Sequence, residues 1–159
     1  SSIGDGYRCH VTGLVHDESG FPTNDGNIAE RLITRLVRKI EDNVDDIVQY
    51  EEYKLEDADE VIVAYGSTAR SVKAAIEILR EKGKKIGLFR PITIWPSPKK
   101  QLEELAKKAN RITVVEMNLG QYYLEVERIA GKYTEVAKFG RVNGELISPE
   151  DIISFYEEG

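Results

Sequence analysis

Four apolar runs, centred near residues 62, 87, 113 and 137, recur about every 25 residues, and that rhythm fixes most of what this chain can fold into. Stripes at helical spacing lie between them. Ala69, Val72, Ile76 and Leu79 form the first stripe, and Leu102, Leu105, Ala106 and Ala109 the second. Tyr122, Val126, Ile129, Ala130 and Tyr133 form the third. A run plus a stripe is one βα unit. Right-handed crossovers then bring successive strands parallel into one sheet, with helices on both faces. The run 61–65 is unbroken, as expected of a strand covered on both sides. The predicted class is α/β.

Boundary signals agree with this reading. Gly83 suits the left-handed position after the first helix. Ser97 with Pro98 reads as an N-cap and first helical residue. Ser148-Pro149-Glu150-Asp151 opens a last helix that is expected to bury Ile152, Ile153 and Phe155. Upstream, Asn27 with Glu30 resembles a capping box for a helix with Ile28, Leu32, Ile33, Leu36, Val37 and Ile40 on one face. That helix is expected to end near Asn43, and a short strand is expected at 47–50. Residues 1–26 hold five Gly and one Pro with little periodicity, which predicts an extended arm or linker, with the α/β domain covering 27–159.

A chain of 159 residues fits one domain of this kind, and its 41% apolar share is enough for a core. The net charge of −6 argues against nucleic acid as a partner. Charge is unevenly placed. Residues 41–60 carry ten acids and one base, whereas 80–111 carry ten bases and three acids. These are either two solvated faces or a docking surface. The charged bias leans toward a thermophile-type surface. One Cys excludes an internal disulfide, and Cys9 with His10 and His16 matches no zinc spacing, so no metal site is expected. No apolar run reaches the length of a membrane span, and no signal peptide is present. The start without Met suggests a piece of a longer chain.

The polar motifs sit where strands end and helices begin, the edge at which open α/β sheets meet ligands and partners. Gly66-Ser67-Thr68 follows the first strand. It is neither a P-loop nor a dinucleotide fingerprint, and is read as a helix cap or an anion-holding turn. Arg90 and Pro91 follow the second strand. An Arg there suits a carboxylate or phosphate, and the Pro-rich loop around Trp95 suits a protein contact or packing over the sheet edge. Glu116 and Asn118 close the third strand, and Gly120 with Gln121 opens the next helix. Glu116 could act as a general acid or base, or tie down nearby backbone. No nucleophile elbow or Ser-His-Asp pattern is present, so no catalytic residue is assigned. On the arm, His10, Thr12, His16 and Asp17 are candidate contacts.

Three of these motifs, in order, resemble the α subunit of the 2-oxoacid:ferredoxin oxidoreductases. They are Gly66-Ser67-Thr68-Ala69-Arg70-Ser71-Val72-Lys73, then Phe89-Arg90-Pro91 with Trp95-Pro96, then Val115-Glu116-Met117-Asn118-Leu119-Gly120-Gln121. The arm His10-Val11-Thr12-Gly13-Leu14-Val15-His16-Asp17-Glu18-Ser19-Gly20-Phe21-Pro22 resembles the 2-oxoglutarate type. The resemblance implies the second domain of that subunit, similar to the transketolase C-terminal domain: three layers, α/β/α, around a mainly parallel five-stranded sheet. It implies an enzyme that converts a 2-oxoacid and CoA to acyl-CoA, CO2 and reduced ferredoxin. Thiamine diphosphate, magnesium and an iron–sulfur cluster would be held elsewhere, none of them by this piece. The implied partners are the subunit's other domain, a β subunit, further small subunits and ferredoxin, in the cytoplasm. Two other readings stay open: a separate α/β domain that binds a small anion, and a pure interaction module.

Overall fold

The computed structural model describes residues 4–6 and 13–158. These fall into two compact units, one up to Asp46 and one from Ile47 onward.

The first unit holds a two-residue antiparallel pair, β1 (Val15–His16) and β2 (Pro22–Thr23), and the helix α1 (Gly26–Glu41). The N-cap of α1 is Asp25, not Asn27. The Asp25 carboxylate accepts from the Asn27 N–H at 2.8 Å and the Ile28 N–H at 3.2 Å. An ionised oxygen facing the positive helix end outcompetes the neutral amide two residues later. None of the α1 residues is buried. Its apolar stripe exists as expected, yet Ile33, Leu36 and Val37 stay about half exposed.

A four-residue helix, α2 (Val44–Ile47), leads into the sheet strand β3 (Tyr50–Tyr53). The strand expected at 47–50 therefore begins three residues later. It is an edge strand whose residues alternate between the two faces. Tyr50 stacks on Phe89 at 5.3 Å, while Tyr53 packs into the cluster on the opposite side. Tyr-Glu-Glu-Tyr carries no apolar run to announce it, and its charges keep the edge from pairing with another sheet.

The βα units then follow in the expected order: β4 (Glu60–Ala64), α3 (Thr68–Glu81), β5 (Ile86–Pro91), α4 (Lys99–Ala106), β6 (Arg111–Glu116), α5 (Gln121–Ala130), β7 (Glu135–Gly140) and α6 (Pro149–Glu158). The sheet order is β3-β5-β4-β6-β7, with β3 antiparallel and the other four strands parallel. Ile62, Ala64, Ile86 and Leu88 face α3 and α6. Val61, Val63, Phe89, Ile112 and Val114 face α4 and α5. The architecture is the three-layer α/β/α sandwich with five strands.

The caps divide. Ser148 and Asp151 bond reciprocally at the start of α6, as a capping box should. Ser97 does not cap α4; its hydroxyl donates to the Ile94 carbonyl at 3.2 Å. In α6 the buried aromatic is Tyr156, with Phe155 only partly covered. Part of the charge asymmetry resolves within the unit. Glu51 of β3 lies opposite Arg90 of β5 and pairs with it at 3.1 Å, and Asp57 pairs with Arg80.

Candidate functional site

Because β4, β5 and β6 are parallel, the segments after them gather at one edge of the sheet. Glu116 is the hub of that edge. Its side chain is buried, with 2% of the residue exposed, and its two oxygens meet four donors. Oε2 accepts from the Tyr65 hydroxyl at 2.9 Å, the Asn118 amide at 2.8 Å and the Tyr122 N–H at 3.0 Å. Oε1 accepts from the Tyr123 N–H at 3.0 Å. Asn118 Oδ1 accepts from the Gly120 and Gln121 N–H groups, both at 2.8 Å. All four N–H groups opening α5 are thereby satisfied, two by Glu116 and two by Asn118. The arrangement is a helix cap delivered from a strand end. The carboxylate also lies at the positive pole of the helix.

This geometry explains Glu116 as the tie between β6 and α5. Both oxygens are engaged by these donors, which suits a cap better than proton transfer. Burial, followed by the neighbouring Glu116 carboxylate, pushes the Tyr65 hydroxyl up to about 12, so it stays a donor. Burial does the same to Tyr122, also to about 12. Tyr65 was not singled out by the sequence. Its signal is positional: Ala64 pairs with Val115, so the next residue on each strand, Tyr65 and Glu116, are neighbours.

The other motif residues take separate places. Arg90 turns to Glu51, which also receives Lys73. The Lys73 hydrogen bond first, then Arg90, holds the Glu51 carboxyl below its ordinary value. Pro91 is the buried end of β5, opposite Tyr50. The loop beyond it is pinned: the Ile92 and Thr93 N–H groups donate to the Gln49 carbonyl, and the Thr93 hydroxyl donates to Ile47 O at 2.9 Å. Trp95 sits on this fixed loop and is 73% exposed. Gly120 borders a hollow of about 280 Å³ together with Asn118, Leu119 and Lys138.

Gly66 takes the left-handed conformation (φ 59°), which turns the chain sharply from β4 into α3. Ser67 is already helical (φ −69°, ψ −32°), and neither its hydroxyl nor that of Thr68 caps α3. An N-cap side chain needs extended backbone to reach the N–H groups ahead of it.

On the arm, Asp17 orders its own turn. It accepts from the Ser19 N–H at 2.9 Å, the Ser19 hydroxyl and the Phe21 N–H, and the Ser19 hydroxyl is the main cause of its lowered pKa. His16 and Asp17 border one hollow with Arg31 and Arg35. His10 and Thr12, with Cys9, lie outside the described residues. Among the described residues, no three His, Cys, Asp or Glu side chains form a metal-binding group, and no helix is long and apolar enough to cross a membrane.

Known proteins resemble this chain in sequence and in fold. The chain is 46% identical over 150 residues to the 2-oxoglutarate synthase subunit KorA of Methanocaldococcus jannaschii, covering 94% of this chain and 40% of that protein. It is 41% identical over 106 residues to the ketoisovalerate oxidoreductase subunit VorB of Methanothermobacter marburgensis, covering 67% and 30%. The chain thus spans less than half the length of the curated relatives it matches. Among solved structures, 2-oxoglutarate:ferredoxin oxidoreductase from Magnetococcus marinus superposes with a TM-score of 0.80 at 24% identity, over 99% of this chain and 28% of that one. A split-gene transketolase superposes with a TM-score of 0.55 at 22% identity, over 68% of this chain and 40% of that one. Both likenesses are of fold. Residues 58–152, from the turn before β4 into α6, match the family model described as pyruvate:ferredoxin oxidoreductase core domain II. Parallel sheet, ordered strand-end motifs and family match agree: this chain belongs to the pyruvate:ferredoxin oxidoreductase core domain II family.

Proposed function

We propose that this chain is the second domain of the α subunit of a thiamine-diphosphate-dependent 2-oxoacid:ferredoxin oxidoreductase, with 2-oxoglutarate as the 2-oxoacid. Its task there is to hold subunits together, with residues 1–26 as the linker and 27–159 as the α/β domain. The whole enzyme, a cytoplasmic assembly with a β subunit and smaller subunits, converts the 2-oxoacid and CoA to acyl-CoA and CO2 and passes electrons to ferredoxin. The family membership and the KorA identity support the reaction class.

The buried carboxylate at the strand-end edge does not suit a cofactor's metal. A diphosphate–magnesium pair needs oxygen ligands with vacant lone pairs, and the buried carboxylate at the strand-end edge has four protein donors on it. In this reading the thiamine, cluster and electron chemistry is supplied by other parts of the enzyme. The purified chain alone should show no 2-oxoacid-dependent reduction of ferredoxin or of a redox dye. Turnover at any measurable rate would refute the assignment of a purely structural role.

The observation that carries the assembly role is the exposed apolar side chains at the strand-end edge. Trp95 is 73% exposed, Leu119 80% and Ile92 53%, and the loop bearing Trp95 and Ile92 is pinned to the Gln49 backbone. A rigid loop presenting Trp loses little entropy on docking. Exposed apolar groups gathered on one edge suit a partner that covers them. The half-exposed stripe of α1 supports the same reading. Trp95→Ala should leave melting unchanged and weaken capture by the β subunit by about 2 kcal/mol or more, roughly thirtyfold. Unchanged affinity in a normally melting variant would remove Trp95 as an anchor.

A further inference from the structure

The turn 116–120, between β6 and α5, holds Leu119 out from the strand-end edge with 80% of the residue exposed. The turn is fixed from within. Glu116 and Asn118 are committed to the N–H groups of α5. A Cβ at Gly140 would stand 2.6 Å from the Asn118 carbonyl oxygen, so the end of β7 presses directly on the turn. Lys138 is fixed beside it. Its chain lies over Gly120, with Cδ 3.3 Å and Nζ 3.5 Å from where a Cβ would stand. The ammonium donates to the Leu119 carbonyl at 3.4 Å and sits over the Tyr123 ring. Leu119, Gly120 and Lys138 thereby border a hollow of about 280 Å³.

The other side of the turn repeats this pattern. Met117 borders a second hollow, of about 140 Å³, with Arg70 and with Leu146, which is 70% exposed. Each hollow sets an exposed Leu beside a cation. Among the described residues, neither Lys138 nor Arg70 has a carboxylate partner. The one carboxylate bordering either hollow is that of Glu116, and four donors already hold it. Other cations of this unit are neutralised within it: Lys73 and Arg90 by Glu51, Arg80 by Asp57 and Arg141 by Asp151. A chain of net charge −6 thus leaves two cations without carboxylates on an apolar edge. That combination is complementary to carboxylates brought by a partner.

Resting on the assembly role, we propose that the turn 116–120 docks an acidic, apolar segment of the β subunit. Apolar side chains of that segment cover Leu119 and Leu146, and its carboxylates meet Lys138 and Arg70. Hollows of this size take single side chains, so the segment lies across the turn and sends one side chain to each side of it. The surface continues the edge that presents Trp95. Apolar contact supplies the anchors there, and the two cations set the choice of partner and its rate of approach.

The test measures the affinity of this chain for the purified β subunit at low and at high salt. The double reversal, Arg70→Glu with Lys138→Glu, changes two exposed side chains and should melt with the parent. It should weaken binding by about a hundredfold, roughly tenfold for each cation. High salt should weaken parent binding and narrow that gap, because exposed charge pairs are screened. Arg70→Lys with Lys138→Arg keeps both charges and should bind as the parent does. Lys84→Glu, just before β5 at the opposite edge, should also leave binding unchanged. Unchanged or tighter binding by the double reversal overturns the acidic segment. So does an equal loss in Lys84→Glu, which would trace the effect to overall charge. Self-association of the chain that the double reversal abolishes would give the turn to a second copy and overturn the β-subunit assignment. Should the double reversal melt early, the salt dependence of parent binding decides: affinity that does not fall with salt overturns the proposal. Trp95→Ala separates this proposal from the assembly role. Capture weakened by Trp95→Ala but not by the double reversal leaves the assembly role standing without the acidic segment. No capture by the parent chain removes both.

Discussion

Glu116→Ala should lower the unfolding free energy of this chain by about 3–5 kcal/mol, which is what breaking a buried charged network costs. The substitution strips acceptors from the Tyr122 and Tyr123 N–H groups, the Tyr65 hydroxyl and the Asn118 amide together. Each buried donor left unmade costs roughly 1–3 kcal/mol, and water reaching the vacated space recovers part of it. The melting midpoint should fall by about 10 °C or more for a chain of this size. Glu116→Gln should recover only part of the loss. It keeps one acceptor but turns an amide donor toward other donors. These variants separate the two roles an acidic strand end can have. A general acid or base would lose turnover on conversion to Gln with melting unchanged. A cap loses stability first, and the loss should appear in hydrogen exchange at the start of α5. Normal melting of Glu116→Ala would mean that the α5 N–H groups find other acceptors.

The sequence carries the alternation of β4 to β7 with α3 to α6, because unbroken apolar runs and helical stripes are strong signals. What it loses is what depends on neighbours distant in sequence. Tyr65 and Glu116 lie 51 residues apart, and only the register of β4 against β6 places them together. Arg90 reads as an anion binder on chemistry alone, and its pairing with Glu51 depends on β3, a strand too polar to announce itself. The capping errors share a cause. Ser67, Ser97 and Asn27 have the right residue type, but backbone angle and a stronger competitor decide whether a side chain caps. The stiff loop that presents Trp95 was legible in Pro91, Pro96 and Pro98, and the structure shows the Trp95 side chain exposed on it.

Gly87→Ala should be the most damaging single-methyl substitution in the sheet, by about 3 kcal/mol. Gly87 lies within β5, paired to Val61 of β4, on the face that carries Phe89. A Cβ there would stand 2.5 Å from the Lys54 carbonyl oxygen, 2.6 Å from Leu55 Cδ2 and 2.9 Å from the Lys54 carbonyl carbon. The Leu55 side chain can rotate away. The Lys54 carbonyl cannot, because Lys54 is held with φ at 52° in the turn leaving β3, and Tyr53 next to it is paired with Leu88. Making room requires β3 to lift from β5. Overpacking of a core ordinarily costs about 1–3 kcal/mol, and forced backbone movement places this case at the top of that range. Gly83→Ala is the matched control. Its φ of 85° strains an Ala, but nothing lies within 4 Å, so the cost should stay near 1 kcal/mol. Thermal melting ranks the two variants, and hydrogen exchange across residues 50–53 locates the damage. Should Gly87→Ala melt with the parent chain, the turn at Lys54 yields freely. The edge strand would then be held by its ladder to β5, its Glu51 ion pairs and the Tyr50–Phe89 stack.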